Sequence, residues 1–165
     1  KLDTKQNELD LRQITILYTN DEHGWIEKTH NSNGAANLMG LWRETEKYNS
    51  DESYLILSGG DNWLGPPISN EFKGQSTVEV MNSMEYDASA IGNHEFEFGI
   101  ENIYNRLLQA KFPYLSANIR EKATGKIPPF ATPYIIKQIN DVNVGTVSEL
   151  RKVYNNTLEE IITNA

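Results

Sequence analysis

Three short clusters in this sequence could carry chemistry: Asp21-Glu22-His23, Gly60-Asp61 and Gly92-Asn93-His94-Glu95. Aspartate offers a hard anionic oxygen, histidine a neutral nitrogen and asparagine a neutral oxygen. Mixed nitrogen and oxygen ligation suits Zn, Mn, Fe or Co better than Ca or Mg alone. One carboxylate can bridge two cations with its two oxygens. Two cations ~3.5–4 Å apart can clamp the attacking and leaving oxygens of a phosphoryl displacement and lower the pKa of a bound water. The glycines before Asp61 and Asn93 allow a sharp turn and close backbone approach. Each cluster taken alone reads as an ordinary turn. Asp-x-His is a common triplet, Gly-Asp is a standard turn pair, and the third could be a strand end before a capped helix. Their order, each just past an apolar run, points to one shared site.

The elements that must position these clusters follow from the apolar pattern. Ile14–Thr19 is β-branched and aromatic and reads as a strand ending in Asn20-Asp21. Residues 35–48 place Leu38, Leu41 and Trp42 at helical spacing after the turn cluster Asn31-Ser32-Asn33-Gly34. Tyr54–Leu57 is a second strand, ending in Ser58-Gly59-Gly60-Asp61. Gly65-Pro66-Pro67 then predicts a loop free of helix. Residues 75–84 read as a helix, Ala88–Ile91 as a third strand, residues 100–110 as a helix and Tyr114–Ala117 as a fourth strand. Such alternation predicts an α/β fold with a parallel-rich sheet, flanking helices and right-handed crossovers. Ligands of open α/β sheets bind beyond the carboxyl ends of the strands, where all three clusters fall. Further on, Tyr134–Ile139 and Val142–Val147 flank Asn140-Asp141 and predict a hairpin. Ser148, Leu150, Val153, Leu158, Ile161 and Ile162 fit a closing amphipathic helix.

Composition narrows the function further. The chain has 165 residues, and 38% of them are apolar, enough for one modest core. A net charge of −8 argues against non-specific nucleic-acid binding, which needs a basic face. It would also repel an anionic substrate at long range. The 15 Lys and Arg form no patch, so metal ions are the expected source of local positive charge. With no cysteine, disulfides, thiolate zinc sites and cysteine nucleophiles are excluded. No apolar run approaches the ~18 residues of a membrane-spanning helix. The polar start, with no signal peptide apparent, reads as a processed or trimmed chain.

The segments Ile14-Thr-Ile-Leu-Tyr-Thr-Asn-Asp-Glu-His23, Ser58-Gly-Gly-Asp61 and Ala90-Ile-Gly-Asn93-His94-Glu-Phe-Glu-Phe-Gly99 resemble the opening motifs of calcineurin-like metallophosphatases. The branch most similar is that of the 5′-nucleotidases and 2′,3′-cyclic-nucleotide phosphodiesterases, and Ser116-Ala-Asn118 fits it too. The resemblance covers residues 13–145. It leaves a polar segment at 1–12 and a helical tail at 146–165. It implies part of a metallophosphatase αββα sandwich holding two divalent metal ions. Asp21 and His23 would hold the first ion, Asp61 would bridge both, and Asn93 would bind the second. His94 would stabilise the transition state or protonate the leaving oxygen, oriented by an acidic partner three residues on. The branch usually has Asp there; this chain has Glu97.

The implied activity is attack of a metal-bound hydroxide on small phosphoesters, above all nucleotides. The implied location is periplasmic, cell-surface or secreted. The branch completes its site with later histidines and grips the base with a further domain. No histidine follows His94 here. The remaining ligands are therefore expected from a C-terminal part outside this sequence or from another chain, with little turnover by this chain alone. The rival reading is a degenerate, non-catalytic module of the same fold. His30 is set aside as a surface histidine, Trp42 as core, and Trp25 and Trp63 as either packing or walls of the site. Glu22 and Glu95 neighbour the ligands without any requirement to bind.

Overall fold

The computed structural model describes residues 11–30, 32–50, 54–150 and 161–163. The polar segment expected at 1–12 lies almost wholly outside the described residues, as does 151–160 of the expected closing helix.

Four strands form one parallel sheet: β1 (Thr15–Thr19), β2 (Tyr54–Ser58), β3 (Ala88–Ala90) and β4 (Tyr114–Leu115). They lie side by side in chain order, and every pair is parallel. Helix α1 (Gly34–Thr45) links β1 to β2. Helices α2 (Pro67–Glu71) and α3 (Gln75–Ser83) link β2 to β3, and α4 (Ile100–Gln109) links β3 to β4. The α/β reading of the sequence therefore holds.

Register decides which side chains share a face, because successive residues of a strand point to opposite sides. Leu17 lies beside Ile56, and Ser89 beside Tyr114. Leu17, Ile56 and Tyr114 join Trp42 of α1, Val78 and Met81 of α3 and Ile103 of α4 in one buried cluster. That is the helix side. The opposite side carries Ile16, Leu55, Leu57, Ala88, Ala90 and Leu115. At the β1 edge it is open, with Ile16 55% and Tyr18 60% exposed.

A short strand, β5 (Ile119–Glu121), follows the sheet. Then β6 (Tyr134–Ile139) and β7 (Val142–Val147) make the expected antiparallel hairpin. Its two turn residues, Asn140 (φ 47°) and Asp141 (φ 63°), both sit at positive φ, as a type I′ turn requires. β7 continues to Val147, so the expected boundary at 145 falls inside a strand.

Three expectations need correction. Pro67 opens α2 as its first residue, a position where the missing N–H costs nothing, so the Pro pair starts a helix. The fourth strand is shorter than Tyr114–Ala117. The Ser116 and Ala117 amides leave the sheet to bond the Thr132 and Ser148 carbonyls. At the two described ends of the expected closing helix, residues 148–150 are irregular and Ile161–Thr163 form β8, antiparallel to β5. Leu150 N–H donates to the Asn118 side chain, and Asn118 Nδ2 donates to the Leu150 carbonyl. This Asn brace takes up the backbone groups that a helix start would have used. No helix among the described residues is long and apolar enough to cross a membrane.

Candidate active site

The carboxyl ends of β1, β2 and β3 are adjacent because the strands are laid down in order, so the three clusters meet. The backbone there is unusual. Asp21 (φ 54°), His23 (φ 46°) and Asp61 (φ 57°) all occupy the left-handed region. For a residue with a side chain this costs about 1–3 kcal/mol and persists only where surroundings enforce it. The enforcement is visible. Asp21 N–H donates to the Gly60 carbonyl (3.2 Å) and His23 N–H to the Asp61 carbonyl (3.0 Å), so the first two loops pin each other. Below them Asn62 is buried and donates through Nδ2 to the Ser58 (3.0 Å) and Ser89 (3.2 Å) hydroxyls.

The side chains are arranged as follows. His23 Nε2 is 3.6 Å from Asp21 Oδ1, and Asn20 Nδ2 donates to Asp21 Oδ2. His23 Nδ1 faces the Leu64 carbonyl at 3.1 Å. That contact favours the tautomer with the proton on Nδ1 and leaves Nε2 as an electron-pair donor. Asp61 Oδ1 accepts the His94 amide at 2.9 Å, which sets the Asp61 carboxylate against the Asn93–His94 peptide. Asn93 leads into the single 3-10 turn His94–Phe96. The His23 and His94 rings meet edge to face, with centroids 4.8 Å apart. His94 Nδ1 is 3.7 Å from Glu97 Oε1, an ion-pair distance too long for a hydrogen bond.

The structure therefore brings Asp21, His23, Asp61, His94 and Glu97 into neighbouring contacts, with Asn93 beside Asp61. His30 is exposed and apart. Trp63 is fully buried, its ring edge-on to Tyr114, and so belongs to the core. Trp25, two residues past His23, is 42% exposed.

The donor chemistry fits a divalent cation: carboxylates and an imidazole on strained loops, with an amide from Asn93 in ordinary helical backbone. Among the described residues no lysine or arginine pairs with Asp21 or Asp61. The fit is partial in geometry, because among the described residues no three His, Cys, Asp or Glu side chains converge as a ligand group. Space is finely set. A Cβ on Gly92 would collide with Asp61 Oδ1, so only glycine admits the carboxylate there.

One residue of the site escaped the sequence reading. Glu95 is 1% exposed, and its carboxylate accepts the amides of Asn62 (2.7 Å), Asp61 (3.0 Å) and Gly92 (2.7 Å). Burial pushes its pKa up to about 7, the three amides working against that and the Asp61 charge adding to it. Nothing in its sequence context marks it, since an exposed acid beside a ligand would read the same.

No family model matches the chain. Snake venom 5′-nucleotidase from Naja atra is 36% identical over 151 residues, covering 85% of this chain and 28% of the relative. Human 5′-nucleotidase is 36% identical over 152 residues, covering 85% of this chain and 26% of the relative. Among solved structures, a 5′-nucleotidase precursor from Thermus thermophilus superposes with a TM-score of 0.76 at 24% identity. It covers 92% of this chain and 32% of that one. That likeness establishes that the chain shares the fold of the matching part of that structure. The chain spans little more than a quarter of the length of the curated relatives it matches.

Proposed function

The chain belongs to the 5′-nucleotidase family, and from that premise we propose that it contributes to a metal-dependent hydrolysis of phosphoester bonds in nucleotides or related small phosphoesters. One observation carries the reading. Asp21, His23 and Asp61 are held in costly left-handed conformations at adjacent strand ends by mutual backbone bonds. Strain of this kind clusters at functional sites.

Asp21 and His23 would hold one divalent cation, Asp61 would be shared, and Asn93 would serve a second; Zn, Mn, Fe and Co all suit this set. When bound, the cations would supply charge neutralisation for the phosphoryl oxygens. The chain's own residues would do the rest. Asp61, anchored by the His94 amide, would keep both cation positions in register with the 3-10 turn. His94, with Glu97 behind its Nδ1, would present its outer nitrogen to the phosphoryl or leaving oxygen and deliver a proton there. Leu64, through its carbonyl, would keep His23 in the ligating tautomer.

These residues alone give the second cation one anionic and one neutral ligand. Further ligands would come from protein outside this sequence or from another chain, so the isolated chain is expected to turn over slowly. The expected compartment is periplasmic, cell-surface or secreted, in keeping with the venom origin of the Naja atra relative. A second reading, a non-catalytic module of this fold, is favoured by the lack of a three-residue ligand group among the described residues.

Titration with Mn²⁺, followed by phosphate release from AMP, separates the two. Saturable Mn²⁺ binding lost in Asp61→Asn, with AMP hydrolysis that depends on His94, supports the hydrolase. A wild-type chain that takes up no Mn²⁺ at saturating concentration supports the module.

A further inference from the structure

The ladder between β2 and β3 ends at the pair Ser58–Ser89. Past that point the two strands separate into the loops that bear Asp61 and Asn93, and the amides of Asp61, Asn62 and Gly92 have no strand acceptor. The Glu95 carboxylate meets all three. Oε1 takes Asn62, and Oε2 takes both Asp61 and Gly92. A single buried side chain thus continues the pairing of two loops that the sheet has released.

An acid is an expensive choice for this task if packing were the only need. Burying a carboxylate costs several kcal/mol before compensation, on the order of what a salt bridge returns. Among the described residues no lysine or arginine pairs with it. What the acid does that an apolar residue cannot is twofold. It fixes the amide of Asp61 while that residue sits at φ 57°, and its two oxygens offer acceptors to amides of both loops at once. The tolerance for displacement is small, because the Asp61 carboxylate has to fit against the bare Cα of Gly92.

We propose that Glu95 is a positioning residue for the cation site, bridging the Asp61 and Asn93 loops through three backbone amides and so setting the distance between those two ligands. The inference rests on the cation-binding reading above and adds the group that makes the ligand set rigid.

Two measurements on the intact chain test it, using Glu95→Gln, Glu95→Asp and the wild type. The first needs no metal: amide hydrogen exchange at Asp61, Asn62 and Gly92. In Glu95→Gln the carboxamide oxygen can keep the Asp61 and Gly92 bonds. Its NH2 then faces the Asn62 N–H, donor against donor, so Asn62 should lose protection most. The second is Mn²⁺ affinity, read by electron paramagnetic resonance well below each variant's thermal midpoint. Loss of a supporting group should weaken it about 10- to 100-fold in Glu95→Gln. Glu95→Asp keeps the charge but reaches less far, and should fall between.

Unchanged protection at Asn62 together with unchanged Mn²⁺ affinity would overturn the inference while leaving the proposed function intact. So would a loss of stability in both variants with Mn²⁺ affinity preserved in the folded fraction, since that describes a packing role only. A wild-type chain that binds no Mn²⁺ would instead overturn the proposed function, and this inference with it.

Discussion

At the amino ends of β2 and β3, Asp87 Oδ1 receives Lys137 Nζ at 2.5 Å and its other oxygen receives the Ile56 amide at 2.9 Å. Lys137 also donates to the Tyr54 carbonyl, and Tyr48 donates to Glu85 at 2.6 Å. Burial and that Glu85 bond push the Tyr48 phenol upward, so it remains a donor. At the carboxyl ends of the same sheet, Asp21 and Asp61 have imidazoles and amides for company, and their backbones are strained. One end uses its acids to lock the hairpin onto the sheet. The other end leaves them without a lysine or arginine partner among the described residues, as the proposed cation role requires. The contrast teaches that acidity alone says little about function: the partners and the local backbone decide.

Substitutions can break this contrast, and the largest effect belongs to the carboxyl end. Asp61→Asn should reduce Mn²⁺ affinity beyond the roughly 10- to 100-fold expected for loss of a supporting group, since it removes the shared ligand charge. Calorimetric titration reads it, and wild-type affinity in this variant would erase the distinction between the two ends. Gly92→Ala comes next. Its new Cβ must displace Asp61, so Mn²⁺ binding should weaken about tenfold while the circular dichroism stays native.

At the amino end the signs reverse. Lys137→Met should cost about 1–2 kcal/mol in urea unfolding, at the low side for charge-assisted bonds because Lys137 is 38% exposed, with Mn²⁺ affinity unchanged. A change in Mn²⁺ affinity there would show that the two ends are coupled. The smallest effect lies in the hairpin turn. Asp141→Gly relieves a positive φ and loses only an exposed 3.8 Å pair with Arg12, so stability should rise by about 0.5 kcal/mol, read by the same urea titration.

Much of this arrangement was legible in the residue pattern. Strands β1 and β2 announce themselves because β-branched and aromatic runs stop abruptly at polar loops, and β3 because the short apolar run Ala88–Ile91 stops at Gly92-Asn93. The hairpin does so because Asn140-Asp141 is a pair that accepts positive φ. The meeting of the three polar clusters was legible because each ends a strand. What escaped was set by tertiary partners. Pro66-Pro67 looked like a helix breaker until the helix began at the second proline. The segment after Val147 looked periodic enough for a helix, but Leu150 is claimed by Asn118 and Ile161–Thr163 by β5. Glu95 was read only as a neighbour of the ligands with no requirement to bind, because no local pattern reveals that three amides from two loops will converge on it.

Strand order has a consequence for biosynthesis. Since β1, β2 and β3 are nearest neighbours both along the chain and in the sheet, each pairing closes a single helical crossover and waits on no later segment. A polypeptide leaving the ribosome amino end first can therefore bring Asp21, Asp61 and His94 together while Lys137, the bolt at the opposite end, is still untranslated.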